Sequence, residues 1–143
     1  MALVNFPRTP ESKKLAVLRI TVGSFFILAG LAKLIVPEVA NTFQEQLRYT
    51  GVPGRDFIPL VLPILEMTAG YFLLIGKFTR FWSFLAILLM VLAVYINLRI
   101  EDPALYLLQL SAPLIPSAML AVCAVLLVIG AGTWSKDLDI FEK

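Results

Sequence analysis

Charges set inside an apolar stretch constrain this chain more than anything else in it. Leu15 to Val36, LAVLRITVGSFFILAGLAKLIV, is long enough to cross the ~30 Å hydrocarbon core of a bilayer as a helix. It nevertheless carries Arg19 and Lys33. At about 100° per residue, the step from Arg19 to Lys33 brings the second cation back to within roughly 40° of the first. Gly23, Phe26 and Gly30 share that side, and the opposite side is aliphatic. A second apolar stretch, Phe57 to Ile75, holds a single acidic residue, Glu66, near its middle. A charge at membrane depth is costly and seldom faces lipid. The pattern therefore predicts a bundle in which Arg19, Lys33 and Glu66 turn toward one another.

Composition supports a membrane setting. The 143 residues are 59% hydrophobic and 15% charged, with a mean hydropathy of +0.88, outside the range of soluble domains. Four apolar runs, at 15–36, 57–75, 81–98 and 113–131, approach or exceed spanning length. They predict one all-α domain over residues 1–143, an integral membrane four-helix bundle, and leave no room for a separate soluble domain. A net charge of +2 is too small to point to nucleic acid. With no histidine in the chain, haem held by its own imidazoles is excluded, and a metal site is not expected. Cys123 is the sole cysteine, so no internal disulfide or CxxC pair can form; it reads as a packing residue of the last span. The first apolar run is too long for the core of a cleavable signal peptide.

Basic residues set the expected orientation. Arg8, Lys13 and Lys14 precede the first span, and Lys77 and Arg80 lie between the second and third. By the positive-inside rule both termini are cytoplasmic, with Arg99, Glu101 and Asp102 outside. Between the first two spans, Val39, Phe43 and Leu47 recur every four residues, while Glu38, Gln44, Glu45 and Arg48 occupy other sides. This predicts a short amphipathic helix on the outer surface, either a plain connector or a lid over the bundle's mouth. Gly51-Val52-Pro53-Gly54 ends it.

Pro59 and Pro63 stand just before Glu66, which predicts a kink that either opens a polar cavity or only bends the helix. Gly70, one turn below Glu66, lets another helix approach. Phe81 and Trp82 fall at headgroup level at the inner end of the third span, and Tyr95, Asn97 and Arg99 close its outer end. Asn97 is placed either to bond across the bundle or as an interfacial amide. Residues 103–112, with Gln109 and Ser111 as polar positions, read as a short outer helix or a partial re-entrant segment. The tail TWSKDLDIFEK is expected in the cytoplasm.

Several of these stretches occur together in one known family. LRITVGSFFILAGLAKL with Arg19, Gly30 and Lys33, then PEVANTF and GVP, then LEMTAGYFLLIGKFTR with Glu66, Gly70, Gly76 and Arg80, follow one another in order. The end, GAGTWSKD, has a G-x-G-x-x-S-x-D form through Gly130, Gly132, Ser135 and Asp137. In this the chain resembles the DoxX family of small four-span membrane proteins, named after a subunit of an archaeal thiosulfate:quinone oxidoreductase. The position before the aromatic, often Arg in such proteins, is Thr133 here, so a phosphate or carboxylate contact at that place is not expected. The resemblance implies the prokaryotic cytoplasmic (inner) membrane. It also implies a role among several: a subunit of a thiosulfate:quinone enzyme, a partner of thiol-oxidoreductase or superoxide-detoxifying systems, or an assembly factor.

Two classes of function follow. In the first, the protein is a redox-associated subunit linked to quinone, thiol or thiosulfate. Glu66 is then the candidate catalytic residue, exchanging protons with a quinone, and Arg19, Lys33 and Tyr71 are candidate substrate-binding residues that steady the developing oxygen charge. Phe26 and Tyr95 are further candidates for the pocket wall. The chain holds no electron carrier of its own that the sequence reveals, so electrons would come from a partner subunit or a soluble donor. In the second, Glu66 only pairs with Arg19 or Lys33 to fix helix register, or both cations reach toward the headgroups. The protein is then a non-catalytic accessory or scaffold subunit of a larger membrane complex, or a homo-oligomer. Axial depth leaves the partner of Glu66 open, since Arg19 and Lys33 lie roughly 10 Å on either side of the first span's centre. Transport is a weaker third class, because the four spans show no inverted repeat and few polar lining positions.

Overall fold

In the computed structural model, which describes residues 10–51, 56–99 and 114–137, five helices follow one another. They are α1 (Lys13–Ile35), α2 (Pro37–Thr50), α3 (Ile58–Ile75), α4 (Thr79–Arg99) and α5 (Leu114–Ile129), with no strand among the described residues. α1, α3 and α4 are long and apolar enough to cross a membrane, and α5 is a shorter apolar helix of 16 residues. A helix stands at each of the four expected apolar stretches, within a few residues of its expected limits, and three of the four reach spanning length. The segment at 103–112, with Gln109 and Ser111, lies outside the described residues, as do Pro53, Gly54 and the tail beyond Asp137.

The end of the bundle where α1 begins is called proximal below, and the other end distal. α1 starts at Ser12, whose hydroxyl accepts from the Leu15 N–H at 3.5 Å, the usual role of serine at an N-cap. Val36 ends α1 in an extended conformation and at once begins α2, with Pro37 at its first position, where the missing N–H costs nothing. α3 likewise takes Pro59 in its first turn. Only Pro63 is interior to that helix, which runs unbroken from Ile58 to Ile75.

Two glycines weld α1 to α3. A Cβ on Gly23 would lie 2.8 Å from the Gly70 carbonyl oxygen, and one on Gly30 would lie 2.6 Å from that of Pro63. Backbones that approach this closely tolerate only small residues at the seam. The central core joins Val22 and Phe26 of α1, Leu73 of α3, Ala86, Leu89 and Met90 of α4, and Met119 and Cys123 of α5. Cys123 is fully buried there, as a packing residue would be. Phe72 of α3 stacks on Trp82 of α4 with ring centroids 4.4 Å apart. Large apolar residues also cover the outside, among them Leu28, Leu60, Phe81, Leu98 and Val128. An apolar exterior is the arrangement a bundle needs in lipid rather than water.

α2 is the expected amphipathic helix between the first two spans, with Phe43 and Leu47 as its buried residues. It folds back so that Phe43 and Leu47 pack on Ile96 of α4, with Ile58 and Leu62 of α3 around them. Val39, the third residue of the expected stripe, stays exposed. The helix packs on the distal end of the bundle through Phe43 and Leu47.

Candidate functional site

The distal ion pair follows from helix direction. Side chains on a helix lean toward its N-terminus. α1 runs toward the distal end and α3 runs back from it, so Lys33 leans inward from the end while Glu66 leans outward to meet it. The Lys33 ammonium donates to both oxygens of Glu66, at 2.6 and 2.7 Å. Glu66 is 5% exposed, and the Lys33 side chain retains 21%. Phe43 of α2 lies over the ammonium, 5.0 Å from ring centroid to nitrogen, a cation–π contact.

This pair forms one wall of a cavity of about 250 Å3. α1 contributes Phe25, Phe26, Ala29 and Lys33; α2 contributes Phe43 and Gln46; α3 contributes Glu66. Met90, Ala93, Ile96 and Asn97 come from α4, and Ile115 and Pro116 from α5. Phe25 and Ile115 are themselves 41% and 52% exposed, so the cavity reaches the side of the bundle between α1 and α5. An apolar chamber with a few convergent polar groups is the usual form of a small-molecule site. Asn97 thus lines the chamber. Gln46 was not singled out by the sequence, although it lies one turn beyond Phe43 on the same side of α2.

Arg19 is not part of this site. It lies about 21 Å from Lys33 along the helix axis and leans the other way, to the proximal end, where it is fully buried. Its Nε donates to the Ala131 carbonyl at 2.9 Å, one terminal nitrogen to Leu73 and Leu74 at 2.6 Å each, and the other to Thr133 at 3.4 Å and Trp134 at 3.0 Å. These include carbonyls that the ends of α3 and the chain beyond α5 leave without helical partners. All five guanidinium N–H groups are therefore engaged by protein. The expected cluster of three charges is corrected to a Lys33–Glu66 pair and a separate arginine knot, and Arg19 has no donor left for a substrate.

Tyr71 is also displaced from the site. It is 55% exposed on the outside of α3 and does not line the cavity. Five residues on a helix correspond to about 140°, which carries Tyr71 off the side that Glu66 faces. Tyr95 is likewise exposed, with Arg99 over its ring at 5.2 Å. Phe26 lines the chamber as expected. Among the described residues, no group of three or more His, Cys, Asp or Glu is placed to hold a metal ion.

The GAGTWSKD stretch ties the proximal end together. Gly132 has φ +74°, and a Cβ on it would lie 2.6 Å from the Ser12 carbonyl oxygen. The Ser135 hydroxyl donates to the Gly132 carbonyl at 2.9 Å. The Asp137 carboxylate accepts from the N–H groups of Phe78 and Thr79, at 2.7 and 2.9 Å, and so caps the start of α4 from 58 residues away. Its own N–H donates to the Gly76 carbonyl at 2.9 Å. The motif is a structural clasp around Arg19 and the α3–α4 turn.

No curated protein matches the chain, and no solved structure matches it. The DoxX family model matches residues 14–98, a stretch that contains Arg19, Lys33 and Glu66, the glycine seam and the whole of α2. On that match the chain belongs to the DoxX family, and its apolar helices make it an integral membrane protein.

Proposed function

We propose that the protein is a redox-associated subunit of the prokaryotic cytoplasmic membrane that holds the head of a lipophilic quinone in the distal cavity. The observation that carries this reading is a Lys33–Glu66 pair, its carboxylate buried and its ammonium partly exposed, that lines a chamber open at the bundle's side. At about 250 Å3 the chamber is smaller than the ~300–1,000 Å3 of sites that enclose a drug-sized ligand. It suits one substituted ring, with the tail leaving between Phe25 and Ile115 into lipid. Reduction of a quinone takes up two electrons and two protons. A thiol- or thiosulfate-oxidising partner supplies the electrons. Lys33 steadies the charge that develops on the quinone oxygen, and Glu66 passes protons to it. Gln46 and Asn97 orient the ring by hydrogen bonds. The proximal end, which gathers Lys13, Lys14, Lys77, Arg80 and Lys136, faces the cytoplasm by the positive-inside rule, with both termini there.

A second reading, a non-catalytic accessory subunit of a larger membrane complex, draws on one feature of the same pair. Both oxygens of Glu66 are already occupied by Lys33, so the pair is self-sufficient as a register lock. Equilibrium binding of a decyl-chain quinone to the protein in lipid nanodiscs separates the two. The quinone reading expects saturable binding, weakened about tenfold or more in Glu66→Gln, which is about 1.4 kcal/mol, and unchanged in Tyr71→Phe. Non-saturable partitioning, equal in all three proteins, supports the accessory reading.

A further inference from the structure

We propose that Glu38, Thr42 and Gln46 of α2 form, with Lys33, a polar passage through which Glu66 takes up protons from water at the distal end, with Glu38 as its outermost acid. This rests on the reading of Glu66 as the group that passes protons to a bound head. Two spaces meet at Lys33. One is the interior cavity; the other is a more open groove of about 290 Å3 lined by Lys33, Glu38, Val39, Thr42, Phe43 and Gln46. Lys33, Phe43 and Gln46 belong to both linings, so the wall between groove and cavity is made of these three side chains. A groove of this size has room for several waters at the ~30 Å3 that each occupies in the liquid.

The residues fall in a line for a physical reason. Glu38, Thr42 and Gln46 are four apart, which stacks them as one stripe along a helix, beside the Phe43–Leu47 stripe that fastens α2 to the bundle. The Thr42 hydroxyl donates to the Glu38 carbonyl at 2.8 Å, which leaves its oxygen able to accept from a donor in the groove. The titratable groups facing Glu66 and the passage are Lys33 from α1 and Glu38 from α2. From α4 and α5 the cavity receives Met90, Ala93, Ile96, Asn97, Ile115 and Pro116, none of which titrates.

The transfer is a proton relay with no change of oxidation state. Lys33 gives one ammonium proton to the Glu66 carboxylate it already contacts, and regains one from hydronium in the groove. The net change is one proton taken from the distal water and Glu66 converted from carboxylate to acid. Glu38 raises the local proton supply at the mouth.

The test is the carboxyl infrared band of Glu66, identified by its loss in Glu66→Gln, followed after a rapid drop in pH in oriented proteoliposomes. The expected result is a response to acid on the distal side only, slowed about tenfold or more in Glu38→Gln and in Thr42→Val, with decyl-quinone affinity unchanged in both. A wild-type rate in both variants overturns the passage, as does entry from the proximal side or a band that never responds to pH. Absent quinone binding with the sided, variant-sensitive response intact counts against the quinone reading while supporting the passage.

Discussion

Gly23 and Gly70 oppose each other across the α1–α3 seam. A Cβ on either would lie 2.8 or 2.6 Å from the other's carbonyl oxygen, and one on Gly70 would also lie 2.9 Å from the Ile27 backbone nitrogen. Backbone cannot swing aside as a flexible side chain can, so α1 and α3 must part to admit a methyl group. That separation also moves Lys33 relative to Glu66, because the same two helices carry them. Gly70→Ala is expected to lower stability by about 1–3 kcal/mol, the range for overpacking. Leu28→Ala, on the outside of α1, is expected to change it by less than about 0.5 kcal/mol. Thermal denaturation in detergent measures both.

Arg19 makes a sharper case. Its five N–H groups meet five carbonyls from α3 and from the segment after α5, and lysine offers three donors from one point instead of a planar fork. Arg19→Lys keeps the charge but abandons at least two of these bonds. At about 1.5–3 kcal/mol for each bond to a charged group, a loss of roughly 3 kcal/mol or more is expected. Reduced accumulation in membranes and a lower denaturation midpoint are the readouts. Wild-type behaviour of Arg19→Lys would mean that the knot does not hold the proximal end.

Asp137 offers a local test. Asp137→Ala removes the acceptor for two N–H groups at the start of α4, a loss of about 0.5–2 kcal/mol by analogy with other helix caps. Hydrogen exchange is expected to quicken at Phe78 and Thr79 and at residues 131–137 together, because the same residue joins them. Faster exchange at the turn alone would show that the clasp is held by other contacts.

The spans were legible because apolar length and period report directly on a helix in lipid. The side that Arg19 and Lys33 share was legible too, since both turn inward. What the angle about the axis omits is position along it. The two cations are separated by about 21 Å, and the N-terminal lean of helical side chains takes Arg19 away from Glu66 while bringing Lys33 toward it. The same rules were available from the sequence and would have selected Lys33. They would also have set Tyr71 aside, since it lies about 140° from Glu66 around α3. The clasp through Gly132, Ser135 and Asp137 was visible only as a motif. Its partners, Ser12 and the α3–α4 turn, are distant in the chain, and no local period points to them.

α2 links the distal packing to the site. Phe43 is buried against Ile96 and also covers Lys33. Phe43→Ala is expected to cost about 3 kcal/mol or more if α2 stays docked, by loss of a buried aromatic. It also widens the opening between groove and cavity. A polar spin label placed at Gln46 in that background is expected to report greater water contact than in the parent. Unchanged water contact would separate α2 from the chamber.

The central claim is that Lys33 and Glu66 act as one unit beneath α2, and a double-mutant cycle on unfolding in mixed micelles tests it most directly. Glu66→Gln and Lys33→Met should each cost about 3 kcal/mol, the low end for a buried pair, since Lys33 keeps a fifth of its side chain exposed. The double variant should lose less than the sum by about 1–3 kcal/mol. Losses that add to within about 0.5 kcal/mol would mean that the two residues do not depend on each other, and the chamber would have no charged wall.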